Sequence, residues 1–427
     1  MTDDLETRLR AALRARSEEI TPDQLTRSLD LPHTDAAPAH RSRRGSSWLV
    51  AAAAAVVVAA GATGIVLATR PSAPTPEPVA SVTVTSTPTP SPTPTGAREQ
   101  PRSAIPWGQV GAGWSAAAWA TSRDATTATL YLVSPAGTRY AVGAMPNVAV
   151  YDITRDGRRI LTGSSDPNAV LQWDVAAGAS QSIPLGEPGG AAYTKPDGQA
   201  LLTVDNSGPA PRLQRRALDG SVTMTYPDGT GLARQSPDGQ FVVTGTTTGL
   251  SVYGNATGTL VRTLPPPAGY SECAAVSWWP DGRALTRCAL GGNGVSNLWL
   301  YPLDGGGATT LTAAVAGSAR PFGYQAAWPV STGTLVQEAV GCGVGPLAML
   351  TSPSTSTRIT FPFKGVPDPN TVVGDVAYLV VSSAECGGAQ ARALVTYDVA
   401  TGQSRVLLGP GANDGTVGPV AVIDPSR

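Results

Sequence analysis

Chemistry in this 427-residue chain has to come from carboxylates, arginines and cysteines over most of its length, because both histidines, His33 and His40, precede residue 48. The part after residue 105 therefore contains no imidazole. This removes Ser-His-Asp and Cys-His catalysis, and histidine metal sites, from that part. Its most regular carboxylates are Asp156, Asp197, Asp238 and Asp281, which lie 41, 41 and 43 residues apart. A glycosidase would need two carboxylates converging on one cleft, and no feature of the sequence marks such a pair. Each of these aspartates is followed by glycine (Gly157, Gly198, Gly239, Gly282), so the simpler role is to satisfy backbone N–H groups in a turn.

Other chemical motifs are weak. Asn413-Asp414-Gly415 is too short for a calcium loop. The runs Gly291-Gly292-Asn293-Gly294 and Gly305-Gly306-Gly307 lack the strand-to-helix setting of a phosphate cradle. No metal or cofactor is expected. The net charge is −1, and no basic run offers the surface that nucleic acid requires.

The four cysteines, Cys273, Cys288, Cys342 and Cys386, all fall in the C-terminal part. An even number suggests two disulfides. Cys273 and Cys288 flank the turn at Asp281, which puts them on adjacent antiparallel strands. Cys342 and Cys386 occupy corresponding loops of two later repeats and would staple them together. Loops of about 15 and about 45 residues would each stabilise by roughly 3–4 kcal/mol in the chain-entropy model. A four-thiolate zinc site is the rival, but no C-x-x-C spacing supports it.

The positions of these residues depend on a repeated unit. Asp-Gly between apolar runs signals a hairpin, since glycine accepts the positive φ of a two-residue connection. A period near 40 marks a stacked array. Val148 to Pro184 gives the fullest unit, with four short apolar segments, the turn at Asp156 and a second turn at Gly178. That second turn recurs at Gly137, Gly220, Gly258, Gly305 and Gly402, with Ser354-Thr355 standing in once, which makes seven units. In the last two units the first turn has drifted to Ser331-Thr332-Gly333 and Gly374-Asp375. The first unit lacks an inner strand, whereas the chain ends in a spare one, Val417 to Ile423. This tail is expected to complete the first unit and close a ring. The fold class is therefore all-β, a seven-bladed β-propeller over residues 106–427, with six or eight blades as alternative counts.

Ahead of it, residues 48–69 carry no charge and are long enough to cross a bilayer as one helix. Arg41, Arg43 and Arg44 on one side, against a lone Arg70 on the other, place the N-terminus in the cytoplasm. A cleaved signal peptide is the competing reading, and a 47-residue leader is too long for it. Residues 70–105 are rich in Pro, Thr and Ser and read as an extended stalk. Residues 1–47 show short amphipathic helices around Leu5, Leu9 and Leu13, then Leu25 and Leu29, available to a cytoplasmic partner.

On the Asp-Gly turns, the 40-residue period and the dipeptide Trp173-Asp174, residues 106–427 resemble the TolB-like and WD40-like β-propellers. The Gly-His pair of true WD40 repeats is missing, so the nearer likeness is TolB-like. The whole layout resembles single-span, membrane-anchored TolB-like proteins of actinobacteria. The resemblance implies an envelope location and protein contacts rather than a reaction.

The resulting expectation is a cell-membrane protein with an extracytoplasmic, non-catalytic propeller that binds a protein or an envelope component. Trp278 and Trp279, at a turn entrance, are the candidate binding face, against the alternative that such tryptophans fill the space between blades. Two other functions remain: a transmembrane sensor coupled to the N-terminal helices, and a carboxylate- or arginine-based enzyme in the propeller channel.

Overall fold

The computed structural model describes residues 98–426, except 123–124, 147–148, 187, 209–210, 228–232, 247, 292–293, 315–321, 341–344, 364, 383–390 and 410–414. The expected cytoplasmic helices, membrane span and most of the stalk lie outside the described residues, as do Cys342 and Cys386. Among the described residues no helix is long and apolar enough to cross a membrane.

Seven antiparallel sheets follow one another along the chain. Blade two shows the pattern: Val150–Ile153, Arg159–Gly163, Ala169–Asp174 and Ala179–Pro184 pair in sequence order. Blades three to seven repeat it, beginning at Pro188–Tyr193, Ala233–Gln235, Tyr270–Trp278, Tyr324–Val330 and Val366–Val373. The second turns all fall between the third and fourth strands, and the six glycines there have φ between 64° and 94°.

Side chains alternate across a strand, so neighbouring residues enter different cores. Ile160 packs between blades one and two, whereas Leu161 packs between blades two and three. Leu201 and Leu202 divide in the same way, as do Val242 and Val243, and Ala284 and Leu285. Both faces of each sheet are thus buried, which is why the strands read as continuous apolar runs rather than alternating ones. Each of the seven apolar clusters joins consecutive blades, the last joining Tyr378 and Leu394 of blade seven to Ala117 and Val133 of blade one. The array is a closed ring.

Closure uses the chain's tail. Thr416–Val417 and Ala421–Val422 pair antiparallel with Ser115–Ala120, in the register Trp119↔Val417 and Ser115↔Val422. Ile423 and Trp114 extend the ladder at 2.8 Å. Blade one also gains an outermost strand, Glu99–Pro101, parallel to Arg139–Met145. Residues 99–105, on the stalk side of the expected boundary, therefore belong to the propeller. Arg102 donates to the carbonyl of Val142 at 3.2 Å, and Ile105 is buried. Proline at the end of an edge strand costs no ladder bond, so Pro101 is compatible with this strand although the Pro-rich run just before it makes the stretch read as stalk.

The Asp-Gly turns are wider than the two-residue connection expected. Thr154 N–H donates to Arg159 O and Gly157 N–H to Thr154 O, leaving 155–158 in the connection. The corresponding spans are 195–199, 237–240 and 280–282. What repeats is the carboxylate: Oδ1 of Asp156, Asp197, Asp238 and Asp281 accepts the N–H of Arg158, Gln199, Gln240 and Arg283 at 3.0–3.1 Å. The aspartate satisfies a backbone N–H, as the sequence leads one to expect, and the glycine supplies the left-handed step after it; only the length of the connection differs.

Cys273 and Cys288 form a disulfide between the first two strands of blade five. The strand register shifts between Ser271 and Ala274, beside the positive-φ residue Glu272 (49°). The bridge is buried in the core shared with blade four.

Candidate functional site

The first strands of the blades surround a cavity of about 390 Å3. Its wall comes from the ends of those strands in blades two to five, from the turns of blades two to four, from Asn370 and Thr371 of blade seven, and from the tail 420–425. The polar groups at this wall mostly tie each blade to the next, about one repeat further on.

Asp152 begins the series. Its Oδ1 accepts the N–H of Ile153 at 2.9 Å and its Oδ2 the N–H of Tyr193, 41 residues away, at 2.7 Å. Burial raises its pKa above the usual aspartate range, against the opposing pull of Lys195 and of the two N–H groups. Lys195 in turn donates its backbone N–H to Oε1 of Gln235 at 3.0 Å, and Gln235 Nε2 donates back to Tyr193 O at 2.8 Å. Arg234 Nε donates to Val276 O at 2.7 Å. On the far side Asn370 Nδ2 donates to Val420 O at 2.8 Å, and the Thr371 hydroxyl to Oδ2 of Asp424 at 3.3 Å. Carboxylate, amide and guanidinium thus meet in one chamber, with Asp152 fully engaged by main chain. Among the described residues no group of three His, Cys, Asp or Glu side chains is placed to hold a metal.

Trp278 and Trp279 do not form one face. Trp278 is 5% exposed and packs in the core of blades four and five, whereas Trp279 packs against that of blades five and six. Successive strand residues point oppositely, so the pair divides between two cores. Trp173 is likewise interior, its Nε1 donating to the Thr162 hydroxyl at 3.0 Å. The turn aspartates sit on the outside of their turns. Asp281 is held below the ordinary carboxylate range by its bond from Arg283. Burial would raise Asp156, but donors from Thr154 and Arg158 and the charges of Arg159 and Arg158 outweigh it and leave it lowered.

Asp152, Arg234 and Asp424 carry no local motif that marks them in the sequence. A signal existed for two of them. Asp152, Tyr193, Arg234 and Ser277 each stand four residues before a turn aspartate and line the same cavity. Reading the repeats as columns brings this set together.

The geometry defines a seven-bladed β-propeller with a polar central chamber. No family model matches the chain, and no curated protein does. Solved structures share the fold. A putative TolB from Agrobacterium tumefaciens is 13% identical, over 73% of this chain and 98% of its own, with a TM-score of 0.36. A prolyl endopeptidase is 14% identical, over 73% of this chain and 51% of its own, with a TM-score of 0.48. A β-propeller domain from Myceliophteria thermophila is 11% identical, over 69% of this chain and 96% of its own, with a TM-score of 0.43. A ring of blades does not by itself decide between catalysis and binding.

Proposed function

We propose that this chain is a membrane-anchored, extracytoplasmic propeller acting as a non-catalytic scaffold for a protein or another envelope component. The observation that carries the reading is the use made of the chamber's polar side chains. Asp152 and Gln235 are committed to the main chain of the neighbouring blade, which suits a rigid receptor better than a site that must exchange protons. The uncharged run 48–69 supports the anchor. The Cys273–Cys288 bridge fits an oxidising compartment.

Crosslinking of the full-length protein in intact cells, followed by mass spectrometry of the captured material, tests this. Reproducible capture of envelope proteins, with the protein itself in the membrane fraction, is expected. Recovery in the cytosol with free thiols at Cys273 and Cys288, or substrate turnover abolished by Asp152→Asn, would overturn it.

A further inference from the structure

Arg234 stands on the first strand of blade four and lines the central cavity. Its Nε donates to Val276 O at 2.7 Å and its Nη1 to Ala233 O at 3.0 Å. A guanidinium carries five N–H donors, so the outer end of the fork, the second Nη1 hydrogen and the Nη2 pair, has no partner among the described residues. No ion pair to Arg234 occurs among them either. Burial depresses its pKa, with no carboxylate acting on it.

Two other charges withdrawn from solvent among the described residues are answered by opposite ones. Glu338 is 2% exposed and receives Nε and Nη2 of Arg358 at 3.0 and 2.8 Å as well as the Ser356 hydroxyl at 3.0 Å. The Lys195 charge acts on Asp152. Arg234 is half-buried in the cavity wall, and its open fork can take an oxyanion in a bidentate pair there.

We infer that the central chamber is a receptor for an oxyanion group, a carboxylate or a phosphate borne by a small ligand, with Arg234 as the anchor. At about 390 Å3 the chamber is larger than a bare anion, which leaves room for the body of the ligand. Asp152 and Asp424 face the same space, so a singly charged group is preferred to a highly charged one. Exposed Arg155 at the rim steers it inward. The inference is independent of any envelope partner and fails separately from it.

Thermal melting of the full-length protein in detergent provides the test, with chloride replaced at constant ionic strength by acetate or by inorganic phosphate. A saturable rise of roughly 2–5 °C is expected with one or both anions. The stronger anion identifies the group. Arg234→Met forfeits the bond to Val276 O but should keep a cooperative melt in chloride and lose the response to either anion. Should Arg234→Met fail to fold, Arg234→Lys keeps the charge without the fork, and its midpoint anion concentration should rise at least fivefold. No saturable rise with either anion, an equal rise in Arg234→Met, or an unchanged midpoint in Arg234→Lys would overturn the assignment.

Discussion

The hydroxyl of Tyr378 donates to the carbonyl of Gly113 at 2.7 Å, joining blade seven to blade one across 265 residues of chain. Tyr378 is buried, and burial pushes its phenol pKa up to about 12. The bond sits where the ring must shut, next to the pairing of Ile423 with Trp114. Tyr378→Phe leaves a buried carbonyl without its donor and should lower stability by about 1–2 kcal/mol, read from denaturant midpoints at unchanged slope.

Truncation before Thr416 removes both tail strands that pair with Ser115–Ala120. An open ring exposes a long apolar edge, so the shortened protein should self-associate on size exclusion and lose its cooperative melt. A monomeric, cooperatively melting truncation would contradict closure by the tail.

Two glycines of the same motif should respond differently. A Cβ at Gly239 (φ 73°) would lie 1.9 Å from the carbonyl oxygen of Lys195 in the neighbouring blade, while one at Gly282 (φ 86°) meets nothing within 4 Å. Gly282→Ala should cost about 1 kcal/mol for the left-handed backbone alone. Gly239→Ala adds a clash between blades, for a total of about 2–4 kcal/mol. Equal losses in chemical denaturation would show that the blades are not in contact there.

The Cys273–Cys288 bridge spans a sequence separation of 15. Replacing both residues by alanine should lower stability by roughly 3 kcal/mol, since a closed loop of this size restricts the unfolded chain by about that much. Intact-mass measurement without reductant should show this pair oxidised.

Asp152 supplies a pH signature. Its folded pKa is raised, chiefly by burial, so its contribution is fully present below the ordinary value of 3.8 and lost as pH rises through the raised native value. The stability of Asp152→Asn relative to wild type should therefore increase between pH 3.5 and pH 7. Parallel denaturant midpoints at the two pH values would refute the assignment of this shift.

The repeat by itself determined the fold. Asp-Gly at a near-constant interval, glycine at six of the seven second turns and an unmatched final strand require a repeated hairpin unit and a partner for the tail, and all of that is local chemistry. The pairing of Cys273 with Cys288 followed from the same hairpin. The chamber was not legible in this way, because Asp152 meets Tyr193, and Arg234 meets Val276, only after blades 40 residues apart are stacked. Trp278 and Trp279 show the same limit. A sequence displays two adjacent aromatic rings, but whether each finds a neighbouring blade or solvent depends on surfaces that the ring's closure brings against them.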